Sequence, residues 1–261
     1  MYITNTHHLF KPQAIEDACN HALEQFPNES CGAVINDEYV PFPNMAQDPE
    51  KQFLIKDKAF DAAYATGQVQ AVIHSHNNYD MASKEDQARQ IALNVPFGVI
   101  NLVNRSVTHV VFWGDSLPRE PFEGRTFFYG VWDCYSLVRD FILEKFHVAA
   151  PNPARDFGFW LRTESVFEQY IQKGLLPFRQ VDLPEVQPDD ILFYNIHATR
   201  FINHCGIMRE NGLVLHHLYN YVSKTFPAST HAQDLRMAFR FDPDLMATSI
   251  DRMELWEEQY D

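Results

Sequence analysis

The stretch Val69-Gln70-Ala71-Val72-Ile73-His74-Ser75-His76 decides the fold of the first half of the chain. A short apolar run rich in β-branched residues predicts a buried strand over 69–74. Residues two apart on a strand point to the same face of the sheet, so His74 and His76 can bind one metal ion together. The sequence therefore predicts a metal site where this strand ends.

The helix predicted over 83–93 supplies a third candidate ligand, Asp86. Ser83 followed three residues later by an acidic residue is the pattern of a helix N-cap, which fixes the helix start near the strand end. A His, His, carboxylate set leaves a tetrahedral zinc one open position for water, as hydrolytic zinc sites require. The alternative is that the two histidines pair by chance and that Asp86 only caps the helix.

Helical and strand-like patterns alternate around this strand, which predicts an α/β domain over residues 1–113. We expect helices over 11–25, 57–67 and 83–93, strands over 31–40, 53–55, 69–74, 97–103 and 108–112, and a turn at 41–44. Residues 114–122 contain a glycine, two prolines and charged residues, and are the predicted linker.

The second half of the chain is predicted as an α+β domain over 123–235, followed by an acidic C-terminal tail over 236–261. Its helices are expected over 134–146 and 164–174, and its strands, which form a small antiparallel sheet, over 190–194, 205–209, 213–218 and 239–241. Cys134 begins the first helix, and a helix start is a position typical of reactive thiols. His204 directly precedes one predicted strand and His216 lies on the next, so they can serve as its base and as the group that orients the base. The alternative is that Cys134 is a buried structural cysteine and that His216 and His217 are a partly buried pair of ordinary strand residues.

The bulk composition narrows the class of protein. A formal net charge of −14 argues against nucleic-acid binding, which needs clustered Lys and Arg. No apolar run is long enough for a membrane span. The four cysteines are scattered, so we expect no disulfide framework. The first ten residues lack a secretory pattern, and we expect synthesis in a cytoplasm.

The first half resembles the JAB1/MPN (JAMM) metallopeptidases, through Glu29-Ser30-Cys31-Gly32, His74-Ser75-His76, Ser83 and Asp86. The resemblance implies that His74, His76 and Asp86 bind Zn²⁺, that Glu29 is the general acid and base, and that Ser83 stabilises the oxyanion. Asn77 stands where that family commonly has proline, which leaves the choice of substrate open.

The second half resembles the papain-like NlpC-type cysteine peptidases. The resemblance rests on Asp133-Cys134, on the segment 188–194, on His204-Cys205-Gly206-Ile207-Met208 and on His216. It implies that Cys134 is the nucleophile, His204 the base and His216 the orienting third member. Phe127 stands where the family often has tyrosine, so the oxyanion partner stays unassigned.

A JAMM domain followed directly by an NlpC-type domain resembles the tail tip assembly proteins of long-tailed bacteriophages, of the lambda K type. The resemblance implies a virion component that is made in the host cytoplasm and contacts other tail tip proteins. Its cysteine site would cleave peptidoglycan stem peptides during infection. Two alternatives remain: a structural tail protein with silent hydrolase sites, or a bacterial JAMM peptidase that acts on ubiquitin-like or sulfur-carrier proteins.

Overall fold

The computed structural model describes residues 2–3, 8–79, 81–155, 157–161 and 169–260. The chain divides into two compact units, Met1–Glu120 (unit 1) and Pro121–Asp261 (unit 2). Each unit contains its own six-stranded sheet. None of the helices in the described part of the chain has the length and apolar character that a bilayer crossing needs.

Unit 1 is an α/β unit in which three helices accompany a mixed sheet. Its strands are β1 (Tyr2–Ile3), β2 (Cys31–Ile35), β3 (Glu38–Phe42), β4 (Val69–Asn77), β5 (Phe97–Val103) and β6 (Ser106–Trp113), and its helices are α1 (Pro12–Gln25), α2 (Lys58–Ala65) and α3 (Lys84–Leu93). The sheet order is β1-β6-β5-β4-β2-β3. Strands β4 and β5 are parallel, and α3 lies in the connection between them.

The core of unit 1 determines which face of β4 carries the histidines. Helix α1 packs Ile15 and Ala18 in one buried cluster with Ile73 of β4 and Ile100 of β5. Successive side chains alternate between the two faces of a strand, so His74 points away from the α1 side of the sheet. The histidine face is therefore separated from the main apolar core by the sheet itself.

Two local predictions for unit 1 are wrong. The single strand expected over 31–40 is a hairpin, because Asn36 and Asp37 adopt positive φ angles of 50° and 68° and form the turn between β2 and β3. The strand expected over 53–55 lies outside the sheet. Its backbone is held instead by Asn44, whose Oδ1 accepts a hydrogen bond from the Leu54 N–H at 3.1 Å.

The expected turn at 41–44 and linker at 114–122 also need adjustment. Pro41 and Phe42 belong to β3, so the chain leaves the sheet only after Phe42. Leu117 is buried in the core cluster of unit 1. The first unit therefore includes residues that the composition assigned to the linker.

Unit 2 is an α+β unit with an all-antiparallel sheet. Its strands are β7 (Phe178–Val181), β8 (Ile191–Tyr194), β9 (His204–Arg209), β10 (Leu213–His216), β11 (Lys224–Pro227) and β12 (Leu235–Phe241), and its helices are α4 (Cys134–Phe146), α5 (Gln169–Gln172) and α6 (Met246–Tyr260). The sheet order is β11-β10-β9-β8-β12-β7. Helix α4 packs against β9.

The C-terminal tail predicted from residue 236 is wrong in its first part. Residues 236–241 belong to β12, which lies between β8 and β7 in the sheet, and Ala238 is fully buried there. Helix α6 follows from Met246. Of the helix predicted over 164–174, residues 164–168 lie outside the described residues, and α5 is the helical part that the structure describes.

Candidate metal centre and candidate thiol site

The end of β4 and the start of α3 bring His74, His76 and Asp86 together in unit 1. Their ligand atoms all lie within 4.8 Å of one another, and all three side chains are buried. Nε2 of His74 lies 3.4 Å from Oδ1 of Asp86, and Nε2 of His76 lies 3.2 Å from Oδ2 of the same carboxylate. This group could hold a metal ion.

A capping box positions Asp86. The Ser83 hydroxyl accepts a hydrogen bond from the Asp86 N–H at 3.0 Å, and Oδ2 of Asp86 accepts from the N–H and the hydroxyl of Ser83 at 2.9 and 2.6 Å. His74 is held from the other side by the stacked ring of Phe53, with ring centroids 4.4 Å apart. Both ligands are therefore oriented by the protein itself.

The charges of this cluster suit a cation. Although burial opposes it, contacts with His74 and His76 keep the pKa of Asp86 far below its usual range, so the carboxylate is ionised. Burial lowers the pKa of His74, which favours the neutral imidazole that metal ions bind.

Glu29 lies at the edge of the same cluster. Its Oε1 is 3.8 Å from Nε2 of His76, and the side chain is buried. Burial raises the pKa of Glu29 to about 7, despite the opposing effect of His76. A carboxyl group with a pKa near neutrality can both accept and donate a proton at neutral pH.

The candidate nucleophile of unit 2, Cys134, is the first residue of α4. Asp133 caps this helix: its side chain accepts from the Ser136 N–H at 3.0 Å, while the Ser136 hydroxyl accepts from the Asp133 N–H at 2.8 Å. Arg155 donates to both oxygens of the Asp133 carboxylate, at 2.8 Å each. Sequence reasoning missed Arg155, because no local pattern links it to the helix start 22 residues earlier.

The structure brings the two predicted histidines together. Nε2 of His204 lies 3.0 Å from Nδ1 of His216, and both rings are buried. Burial and the neighbouring histidines lower the pKa of His204 well below its usual value and that of His216 to about 4. Gly206 faces His216 across the strand pair, where a Cβ would approach the Cβ of His216 to 3.1 Å. A side chain at position 206 would therefore require His216 and its strand to shift by a few tenths of an ångström.

Cys134 and His204 lie in the wall of one cavity of about 360 Å³. The wall also contains His217, which sequence reasoning had taken for an ordinary strand residue, and both Phe127 and Tyr129. Burial lowers the pKa of His217 to about 4. The cavity therefore joins the candidate nucleophile to a mostly aromatic and uncharged surface.

Cys205, next to the candidate base, is fully buried. Burial and a hydrogen bond with Cys134 raise the pKa of Cys205 well above its usual value. Cys19 and Cys31 are buried in unit 1, and all four cysteines are free thiols. Cys205 is therefore a neutral neighbour of Cys134 at ordinary pH.

Comparison with known proteins gives two relatives with the same name. The chain is 26% identical over 234 residues to "Tail tip assembly protein K" of Escherichia phage N15, covering 87% of this chain and 93% of that protein. The chain is similar to phage tail tip assembly proteins. The protein of the same name from Escherichia phage lambda is 29% identical over 163 residues, covering 60% of this chain and 74% of that one. No family model matches the chain.

Solved structures that the chain resembles are NlpC/p60 proteins. The NlpC/p60 domain of peptidoglycan hydrolase SagA is 17% identical, with a TM-score of 0.31, covering 46% of this chain and 90% of that one. An NlpC/P60 family protein from Bacillus cereus ATCC 10987 is 12% identical, with a TM-score of 0.34, covering 90% of this chain and 67% of that one. The JAB1/MPN assignment of unit 1 and its zinc stay predictions.

Proposed function

We propose that this protein is a component of a phage tail tip and carries two hydrolase sites, a thiol peptidase in unit 2 and a zinc peptidase in unit 1. The similarity to tail tip assembly proteins over 87% of the chain supports the first part. The proposed thiol peptidase rests on one observation. Cys134 begins α4 and lines the same cavity as His204, whose imidazole pairs with that of His216.

In the thiol site, Cys134 is the nucleophile and His204 the base that takes its proton. Cys134 begins α4 and lines the same cavity as His204. His216 pairs with Nε2 of His204 and so orients the ring, leaving the other nitrogen for proton transfer. Neutral imidazoles at this pair suit a base that must accept a proton.

The proposed substrate of the thiol site is the stem peptide of peptidoglycan. Phage DNA must pass the cell wall during infection, and a hydrolase at the tail tip would open it locally. The other proposed partners are the neighbouring proteins of the tail tip, which the chain would meet after synthesis in the host cytoplasm.

In the metal site, His74, His76 and Asp86 would hold Zn²⁺. The two imidazoles and the ionised carboxylate form a donor set of the kind found in catalytic zinc sites. Bound zinc would supply an activated water and polarise a scissile carbonyl. Glu29 would move the proton of the reaction, and Ser83 would steady the oxyanion from the start of α3.

Digestion of purified peptidoglycan sacculi tests the thiol peptidase. Wild-type protein should release muropeptides that mass spectrometry identifies as cleaved within the stem peptide. Cys134→Ala and His204→Ala should each abolish release nearly as fully as the double variant, because residues that act as a unit have non-additive effects. His216→Ala should retain more activity than either, since it orients and transfers no proton.

Cys19→Ala is the matched control, because Cys19 is a buried cysteine of the other unit. Its activity should equal that of the wild type. Full muropeptide release by folded Cys134→Ala protein would remove the thiol from the reaction. If even the wild-type protein released no muropeptides, a structural tail protein with a silent site would be favoured.

A further inference from the structure

The cavity beside Cys134 has an aromatic wall. Seven of the sixteen residues that line it are Phe, Tyr or Trp. Its volume of about 360 Å³ lies at the lower end of the range for small-ligand sites. A cavity of this size accepts a single large side chain and its flanking amide groups, and is too small for an extended polymer.

Four of these rings form a closed frame. Phe127 contacts Tyr219 at 5.5 Å between centroids, Tyr219 contacts Phe157 at 5.7 Å, and Phe157 contacts Tyr129 at 5.4 Å. Tyr129 returns to Phe127 at 6.3 Å. Several of these contacts are edge-to-face, the geometry in which aromatic rings attract one another. A further ring entering the frame would find both faces and edges to contact.

The outer part of this frame exposes apolar surface. Phe157 is 51% and Tyr219 48% exposed, whereas Tyr129 at the inner side is buried. Exposed aromatic side chains next to a cavity are apolar area that a ligand can cover. The exposed fraction of the lining side chains is therefore high at the rim, and low in the part of the wall that contains Tyr129 and Cys134.

The described wall of the cavity carries little net charge. It contains no Lys or Arg among the described residues, and its single carboxylate, Asp133, is ion-paired with Arg155. The imidazoles of His204 and His217 are neutral at ordinary pH because burial lowers their pKa, and the imidazole of His231 already contacts the Asp234 carboxylate at 3.2 Å. A substrate carboxylate inside this wall would lose hydration without gaining an ion pair, which is unfavourable.

From the aromatic frame, its half-exposed rim and the uncharged wall, we propose that the cavity is a subsite for an aromatic or large aliphatic side chain of a polypeptide. The proposal rests on the proposed thiol peptidase and adds a second substrate class to the charged stem peptides. Phe157 and Tyr219 are the specificity-determining residues, and the susceptible amide lies next to the bound side chain.

Peptide binding to full-length Cys134→Ala protein tests the proposal without requiring catalysis. The probes are acetylated, amidated alanine pentapeptides with Phe, Leu, Glu or Ala at the central position, and NMR titration measures their affinities. The Phe peptide should bind about tenfold more tightly than the Glu peptide, because burial of a large apolar side chain favours binding and burial of an unpaired carboxylate opposes it.

Phe157→Ala in the same background should weaken binding of the Phe peptide by about three- to tenfold. Leu161→Ala is the matched control: its side chain is 68% exposed and lies outside the cavity wall. It should leave binding unchanged. Since both side chains are largely exposed, neither change should impair folding, which circular dichroism verifies.

Equal binding of the Phe and Glu peptides, or equal effects of the two alanine variants, would overturn the proposal. Binding of dodecanoyl amide in preference to every peptide would also overturn it and assign the cavity to lipid chains. Aromatic selectivity together with inert sacculi would refute only the stem-peptide activity. Active digestion of sacculi without aromatic selectivity would refute only the subsite.

Discussion

The buried ion pair between Asp133 and Arg155 should contribute strongly to the stability of unit 2. Arg155 is almost fully buried and also donates to Asn152 and to the Pro153 carbonyl. The change Arg155→Met replaces the guanidinium side chain by a shorter, unbranched apolar one and removes every donor. Asp133 would then keep only the hydrogen bonds from the Ser136 and Gly130 N–H groups.

Removal of one partner of a buried ion pair costs about 3–5 kcal/mol, since the remaining charge is left uncompensated. At roughly 3 °C for each kcal/mol in a domain of this size, the melting temperature of unit 2 should fall by roughly 10 °C. The double variant Asp133→Asn, Arg155→Met should recover part of this loss, because no buried charge remains.

The pH dependence of stability should change sign. In the wild type, Arg155 keeps the pKa of Asp133 low although burial acts to raise it, so the pair stabilises fully above the unfolded pKa of about 3.9. That contribution is lost as the pH falls through the lower folded pKa. In Arg155→Met, burial dominates and raises the pKa of Asp133, so acidification toward pH 5 should stabilise the variant.

Urea unfolding followed by tryptophan fluorescence, between pH 5 and 8, measures both effects. Arg179→Met is the control, because Arg179 makes a half-exposed ion pair with Asp242 at 3.6 Å. Surface pairs of this kind contribute about 0–1 kcal/mol. Equal costs for Arg155→Met and Arg179→Met, or the same pH trend in variant and wild type, would refute the reasoning.

Three further predictions concern the two sites and the boundary between the units. His76→Ala should lower bound zinc from about one ion per chain to almost none in elemental analysis, and an unchanged zinc content would exclude His76 as a ligand. A cysteine-directed alkylator should label Cys134 before Cys31, because Cys134 lines the cavity whereas burial raises the pKa of Cys31 to about 12. Peptide mapping measures the labelling, and equal labelling of both thiols would count against a reactive Cys134. Limited proteolysis should cut the largely exposed segment 114–123, and its protection while other segments are cut would argue against two independently folding units.

Strong local patterns predicted some elements with their full bounds. The strand expected over 97–103 and the helix expected over 134–146 are β5 and α4. Both have apolar positions at the right spacing, and α4 also has a capping residue at its start. Strands β7 and β11 were missed because each has four residues and lies at an edge of the sheet, where pairing with one neighbour defines the strand.

The candidate sites likewise contain parts that local sequence patterns predict and parts that they do not. The metal cluster could be predicted, because His74 and His76 are two residues apart on one strand and share a face of the sheet. The imidazole pair could be predicted, because His204 and His216 come from consecutive strands. Arg155 and the aromatic frame could not be predicted. Phe127, Phe157 and Tyr219 come from three separate segments, and only tertiary packing brings their rings into contact.

The capping box at the start of α3 has a consequence for how a metal ion would exchange. Asp86 receives both Ser83 hydrogen bonds, and β4 is paired with strands on both sides. The donor set is thus assembled during folding, and the apolar core lies on the other face of the sheet. Unlike a zinc finger, which unfolds when its ion leaves, unit 1 has an apolar core of its own, and we expect it to stay folded when an ion leaves. Metal supply would then switch the activity of this site on and off and leave the protein's place in an assembly unchanged.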